Sequence, residues 1–213
     1  MKRLSIIMAS LILFACLKAE TTPLNAYFEN PSAAAFMTAF DFCSNKLAQH
    51  PTQLTYKILM ANLATMESVR LADEIHPMLD SLQTGAKFQY ANLLLAQNRF
   101  DEAVAIYDVL NKNTPNWSCP WRHKGEALFE LKRYEEAEVS LIQAIETNKE
   151  HYDAYVWMAK TQYQLGKYKE ALKHLETALT LDPEAEASED AGISKESVQI
   201  LHRDLRQLTG KSR

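Results

Sequence analysis

Turn-forming residues are scarce in this chain, with five glycines and seven prolines in 213 residues. That is roughly half their usual combined share. A sandwich or barrel of many short strands needs more of them, and collagen-like or low-complexity character is excluded. Three cysteines, none in a CxxC pair, are too few for a disulfide-built fold. A basic surplus is also missing: 23 Lys and Arg stand against 27 Asp and Glu, a formal charge of −4, so no nucleic-acid partner is expected. Catalytic signatures are absent too. The histidines at 50, 76, 123, 151, 174 and 202 form neither HExxH nor an i, i+4 pair, which argues against a metal site. There is no GxGxxG, P-loop or GxSxG, and the glycines are too dispersed to cradle phosphate. No catalytic residue, metal ligand or cofactor is therefore expected. What is present, 47% hydrophobic and 23% charged residues, suffices for a buried core.

Residues 1–19 begin with Lys2 and Arg3 and continue as an apolar run over 4–15, broken only by Ser5 and Ser10. The run suits a signal-peptide core and is short of the ~20 residues that span a bilayer. A buried N-terminal helix would show a polar face, which this run lacks. Its end, Leu13-Phe14-Ala15-Cys16, resembles a bacterial lipobox, which implies lipidation of Cys16. Leu13, Ala15 and Cys16 fit, whereas Phe14 departs from the usual small residue. The competing cut is after Ala19, with Leu17 at the third position back. Cleavage ahead of Cys16 removes Lys2 and Arg3 and leaves 21 basic against 27 acidic residues, a charge of −6. Attachment to a membrane would then come from the lipid rather than from charge. An exported chain is expected, as a periplasmic or outer-membrane lipoprotein or, with the later cut, as a soluble periplasmic or secreted protein.

Self-similarity is the strongest signal. Residues 84–117, 118–151 and 152–185 align without gaps at a spacing of 34. Arg99-Phe100-Asp101-Glu102-Ala103, Arg133-Tyr134-Glu135-Glu136-Ala137 and Lys167-Tyr168-Lys169-Glu170-Ala171 share one register. Position 4 of each repeat is Lys87, Trp121 and Tyr155; position 8 is Ala91, Gly125 and Ala159; position 20 is Ala103, Ala137 and Ala171. These residues resemble the tetratricopeptide repeat, a 34-residue helix–turn–helix unit with a large residue at 4, small ones at 8 and 20, an aromatic at 17 and Pro at 32. Lys87 departs from that pattern, as does Lys149 where Pro115 and Pro183 stand in the other repeats. The resemblance implies an all-α solenoid of stacked helix pairs.

The residues support the same reading without the family. Ala137, Leu141, Ala144 and Ile145 make one apolar helical stripe. Small side chains at 8 and 20 let paired helices approach, and the aromatic at 17 fills the space beside them. Asn98, Lys132 and Gly166 fall at the turn, where Gly and Asn tolerate positive φ. Each hairpin leaves an apolar face for the next to cover. Toward the C-terminus, an acidic loop is expected over 186–193 and an amphipathic capping helix over 194–213. Ser194 is its N-cap, Ile193 is stapled to Val198, and Val198, Leu201, Leu205 and Leu208 form the buried stripe. Residues 20–31 read as a linker. Diverged helices are expected over 32–50, 51–65 and 68–82, with Ala61 at a close-packing position, Pro77 interrupting the third, and a shortened repeat over about 54–83.

The resemblance places positions 2, 5, 9 and 12 of each first helix on a concave face. There stand Phe88, Asn92 and Leu95, then Arg122, Glu126 and Phe129, then Val156, Lys160 and Tyr163. Rings supply apolar anchors, Asn backbone bonds, and Arg and Lys partners for carboxylates, a set suited to a peptide or helix. Leu95, Phe129 and Tyr163 also fit a core role between repeats; Asn92, Arg122 and Lys160 have no evident packing role and are the better candidates. The family's carboxylate clamp is not implied, because Phe88, Glu126 and Val156 are wrong for it. Glu135, Glu136 and Glu138 read as a solvated face, and Cys43 and Cys119 as packed or free thiols. The expectation is a non-enzymatic adaptor of the bacterial envelope holding a protein or peptide in its groove, with an enzymatic activity in the N-terminal third as the alternative.

Overall fold

A computed structural model describes residues 22–51, 54–183 and 193–210. Residues 1–19 with Cys16, and nearly all of the expected acidic loop, lie outside the described residues. Among these there is no strand, and the chain divides into two compact units, Met1–Asp80 and Ser81–Arg213. The fold is the all-α one expected.

In the first unit, α1 spans Thr22–Glu29, α2 Ala33–Gln49 and α3 Leu54–Ile75. Ser32 caps α2 by accepting the Ala35 N–H at 3.2 Å. Three sequence expectations fail in this unit. The presumed linker is α1, folded because Leu24 and Tyr27 bury completely against Ala39, Cys43, Leu59 and Leu63. The expected helices over 51–65 and 68–82 are one α-helix, α3, so no hairpin and no shortened repeat forms here. Glu67, at the expected break, is buried, accepts the Tyr27 hydroxyl at 3.1 Å and is paired with Arg70, so the helix runs straight through. Pro77 does end it, since the residue before a proline is pushed out of α geometry, and a 3-10 turn follows over His76–Ser81. Ala61 is exposed rather than close-packed.

The second unit is built of three hairpins: α4 (Thr84–Ala96) with α5 (Phe100–Asn113), α6 (Ser118–Glu130) with α7 (Tyr134–Thr147), and α8 (Tyr152–Gln164) with α9 (Tyr168–Leu181). Each turn closes the same way. Asn98, Lys132 and Gly166 take φ of 59°, 62° and 73°. The next residue, Arg99, Arg133 or Lys167, donates its N–H to the carbonyl five residues back at 2.9 Å. Left-handed backbone here satisfies the last carbonyls of the first helix and reverses the chain. Acidic residues open α5, α7 and α9, where they complement the helix dipole.

Ala91, Ala103, Ala137, Ala159 and Ala171 are fully buried. At Gly125 the fit is closest: a Cβ there would lie 2.5 Å from Leu141 Cγ. Position 17 departs from expectation only in the third hairpin, where Tyr168 is 37% exposed. The first helices α4, α6 and α8 contact one another in succession, and α10 (Lys195–Leu208) packs on α9 and α8. The last helix thus takes the place of a fourth first helix. Ser194 caps it by accepting the Ser197 N–H, and Ile193, Val198 and Leu205 are buried. Leu208 is not part of that stripe; it is 52% exposed in the last turn, past what α8 and α9 cover.

Candidate functional site

The row α4–α6–α8–α10 carries the residues the sequence assigns to the groove, and the structure sorts them into two clusters. The first is polar. Arg122 on α6 is only 6% exposed, ion-paired with Glu126, in contact with His123 Nε2 at 2.9 Å and 3.9 Å from Asp153 of α8. Phe88 on α4 packs against Tyr107, Trp117 and His123, with ring centroids 4.6–6.3 Å apart. Asn92 accepts the Tyr107 hydroxyl at 2.8 Å. Asn92 and Arg122 therefore have packing roles that the sequence did not suggest: the Asn92 oxygen is engaged by Tyr107, and Arg122 by Glu126 and His123. Burial, then the charge of Arg122, lowers the His151 pKa to about 4.

The second cluster is a cleft of about 290 Å³ between α8 and α10. Phe129, Val156, Lys160 and Tyr163 line one wall, and Val198, Ile200 and Leu201 the other. Phe129 and Tyr163 are braced from behind by the position-17 rings Tyr134 and Tyr168, at 5.3 and 5.5 Å. Phe129 also packs edge-on against Trp157 at 5.4 Å, so it serves both the seam between hairpins and the cleft. The Lys160 ammonium sits 3.5 Å from the Trp157 ring centroid and 5.2 Å from that of Phe129, a cation–π arrangement. Burial holds its pKa below the ordinary lysine value. A partly buried ammonium beside apolar walls is suited to a ligand carboxylate carried on an apolar segment.

Phe129, Lys160 and Tyr163 are thus brought together; Phe88, Asn92, Arg122 and Glu126 belong to the other cluster. Sequence reasoning missed His123, Asp153 and Trp157, and it read α10 as a cap rather than a wall. Asp153 stands at position 2, one of the inward positions, and was available to it; His123 and Trp157 stand at position 6, where periodicity alone suggests core. The carboxylates over 135–138 also split. Glu135 and Glu136 are exposed, while Glu138 accepts bonds from Lys167 at 2.5 Å and Gln162 at 3.0 Å. Burial opposes its charge, but those two donors bring its carboxyl below the usual range, and it ties α7 to the third hairpin. Cys43 and Cys119 are free thiols, and burial pushes the Cys43 thiol up to about 11.

Residues 128–189 match the family model of the tetratricopeptide repeat. A stretch of 89 residues, 42% of this chain, is 32% identical to the peroxisomal targeting signal receptor of Candida glabrata, and it spans 15% of that receptor's length. Among solved structures, the first tetratricopeptide domain of Spaghetti (RPAP3) bound to the HSP90 peptide SRMEEVD is 22% identical. It superposes with a TM-score of 0.54 over 60% of this chain and 94% of that one. The TPR2B domain of yeast Sti1, in complex with pHsp70, is 24% identical with a TM-score of 0.50, over 58% and 98%. At these identities the structures speak for a shared fold.

Proposed function

We propose that this chain, a tetratricopeptide-repeat protein, is a non-enzymatic interaction scaffold that holds a partner peptide or helix against its row of first helices. The observation that carries the proposal is the α8–α10 cleft, where Phe129, Lys160 and Tyr163 meet the apolar wall of the C-terminal helix. Rigid rings beside a cation are usual anchors of a peptide groove. The solved domains bound to an HSP90 peptide and in complex with pHsp70 support a peptide as the ligand class. The test is selection from a displayed peptide library. Binders enriched in apolar and acidic residues are expected to lose about tenfold in affinity with Lys160→Gln and with Ile200→Lys, a loss of about 1.4 kcal/mol. Binders indifferent to both changes would overturn the cleft as the site.

The same proposal places the protein in the bacterial cell envelope, from the export-like residues 1–19 and the lipobox-like Cys16. Mass spectrometry of the mature N-terminus tests it. A lipid-modified Cys16 is the expected first residue, Glu20 would indicate the later cut, and an unprocessed Met1 would overturn export.

A further inference from the structure

We propose that His123 is a proton-operated latch on the inner face of the repeats: its neutral ring holds the Arg122 guanidinium in place, and its protonated ring releases it. A guanidinium only donates, so the 2.9 Å contact from Arg122 Nη2 requires His123 Nε2 to be bare. The ring proton of neutral His123 therefore sits on Nδ1, which faces Glu126 Oε2 at 3.6 Å. A second proton would set N–H against N–H and cation against cation.

One partner must then move, and the packing decides which. The His123 ring is stacked on Tyr107 of α5, with centroids 5.9 Å apart, and meets Phe88 of α4 edge-on at 5.3 Å. Arg122 stays tied to Glu126 through Nη1, so what it gives up is the Nη2 contact: its Nε is buried with no hydrogen-bond partner, and its reach to Asp153 is long at 3.9 Å. The groups around the ring come from every neighbouring helix. α4 offers uncharged Phe88 and Asn92, and α5 offers Tyr107, whose hydroxyl donates to Asn92. α6 offers Arg122 and Glu126, α7 places no charge on the ring, and α8 offers Asp153, which faces Arg122, with His151 as its N-cap residue. Burial favours the neutral ring, Glu126 pulls the other way and Arg122 reinforces burial; together they hold His123 below the ordinary imidazole value. Arg122 also lies 3.9 Å from Asp153 of the third hairpin, so movement of its Nη2 is felt at the seam as well as on the face.

The consequence for a ligand, a cation turned outward in acid, rests on the groove reading; the latch itself does not, and its test uses no ligand. The experiment is an NMR pH titration of the full chain as wild type, His123→Gln and Arg122→Met. Gln can accept the same guanidinium bond through its side-chain oxygen but takes up no proton. In wild type the His123 ring signals are expected to titrate below pH 6.5, with the Arg122 Nε–H signal moving at the same midpoint. His123→Gln should abolish that movement, and Arg122→Met should raise the His123 midpoint. An Arg122 signal indifferent to pH, or one that moves equally in His123→Gln, overturns the latch. Should His123→Gln not fold, an unchanged His123 midpoint in Arg122→Met overturns it alone. Failure to find a peptide ligand would leave these outcomes untouched.

Discussion

The second and third hairpins are one backbone carrying two chemistries. Thirty-four residues apart, Ala137 matches Ala171, Gly125 matches Ala159 and Lys132 matches Gly166. On the inner face the matches become opposites: Arg122 against Val156, His123 against Trp157, Glu126 against Lys160. The second hairpin turns its inner charges on one another, Arg122 pairing with Glu126 and contacting His123. The third leaves an ammonium resting on aromatic rings beside an apolar cleft. Small residues at the helix crossing hold the scaffold, so the inner positions are free to diverge without disturbing it.

The equivalence can be broken most severely at the crossing. Ala137→Leu and Ala171→Leu should each overpack a fully closed contact and cost up to about 3 kcal/mol. Thermal midpoints that fall together support equivalence; one left unchanged breaks it. Gly125→Ala is next. A Cβ 2.5 Å from Leu141 Cγ must displace that side chain, so a net loss of about 1–2 kcal/mol is expected despite alanine's better helix propensity. Denaturant unfolding reads it, and a stabilised variant would show that Leu141 gives way freely.

The turns should respond in opposite directions. Lys132 holds a left-handed φ of 62° that Gly166 adopts more cheaply. Lys132→Gly should therefore gain about 0.5–1 kcal/mol, and Gly166→Lys should lose a similar amount. Calorimetric midpoints that shift in the same direction for both would contradict the shared turn geometry. The comparison can also be broken through pH, at His151, a ring still partly in contact with solvent. Its pKa falls from an ordinary 6.5 to about 4 through burial and the charge of Arg122. The unfolded chain binds the proton first, so this stabilisation is whole above pH 6.5 and is lost as pH falls toward 4. The wild-type midpoint should drop more steeply over that window than that of His151→Gln.

Legibility followed the kind of packing. In the repeat unit every crossing uses a small residue at a fixed spacing, so the hairpins, the turns at 98, 132 and 166, and the Ser194 cap could all be read from the chain. The N-terminal unit has no such register. Its helices meet through large side chains, Tyr27, Tyr56 and Leu63 among them, with the buried Glu67 held by Tyr27 and Arg70. Glu67, which falls in the gap expected between two helices, is instead a buried link between α1 and α3. The site was half legible for a related reason. Spacing put Phe129, Lys160 and Tyr163 on one face, but it carried nothing about α10, thirty residues further on, closing against them.

Residue spacing alone determined that three helix pairs would stack, because helix approach depends on side-chain size at positions one repeat apart. Tertiary structure decided which inner residues line the α8–α10 cleft and which face each other. The contacts of Arg122 with Asp153 and of Asn92 with Tyr107 join different helices, and whether a donor meets an acceptor there depends on distances that no local pattern encodes.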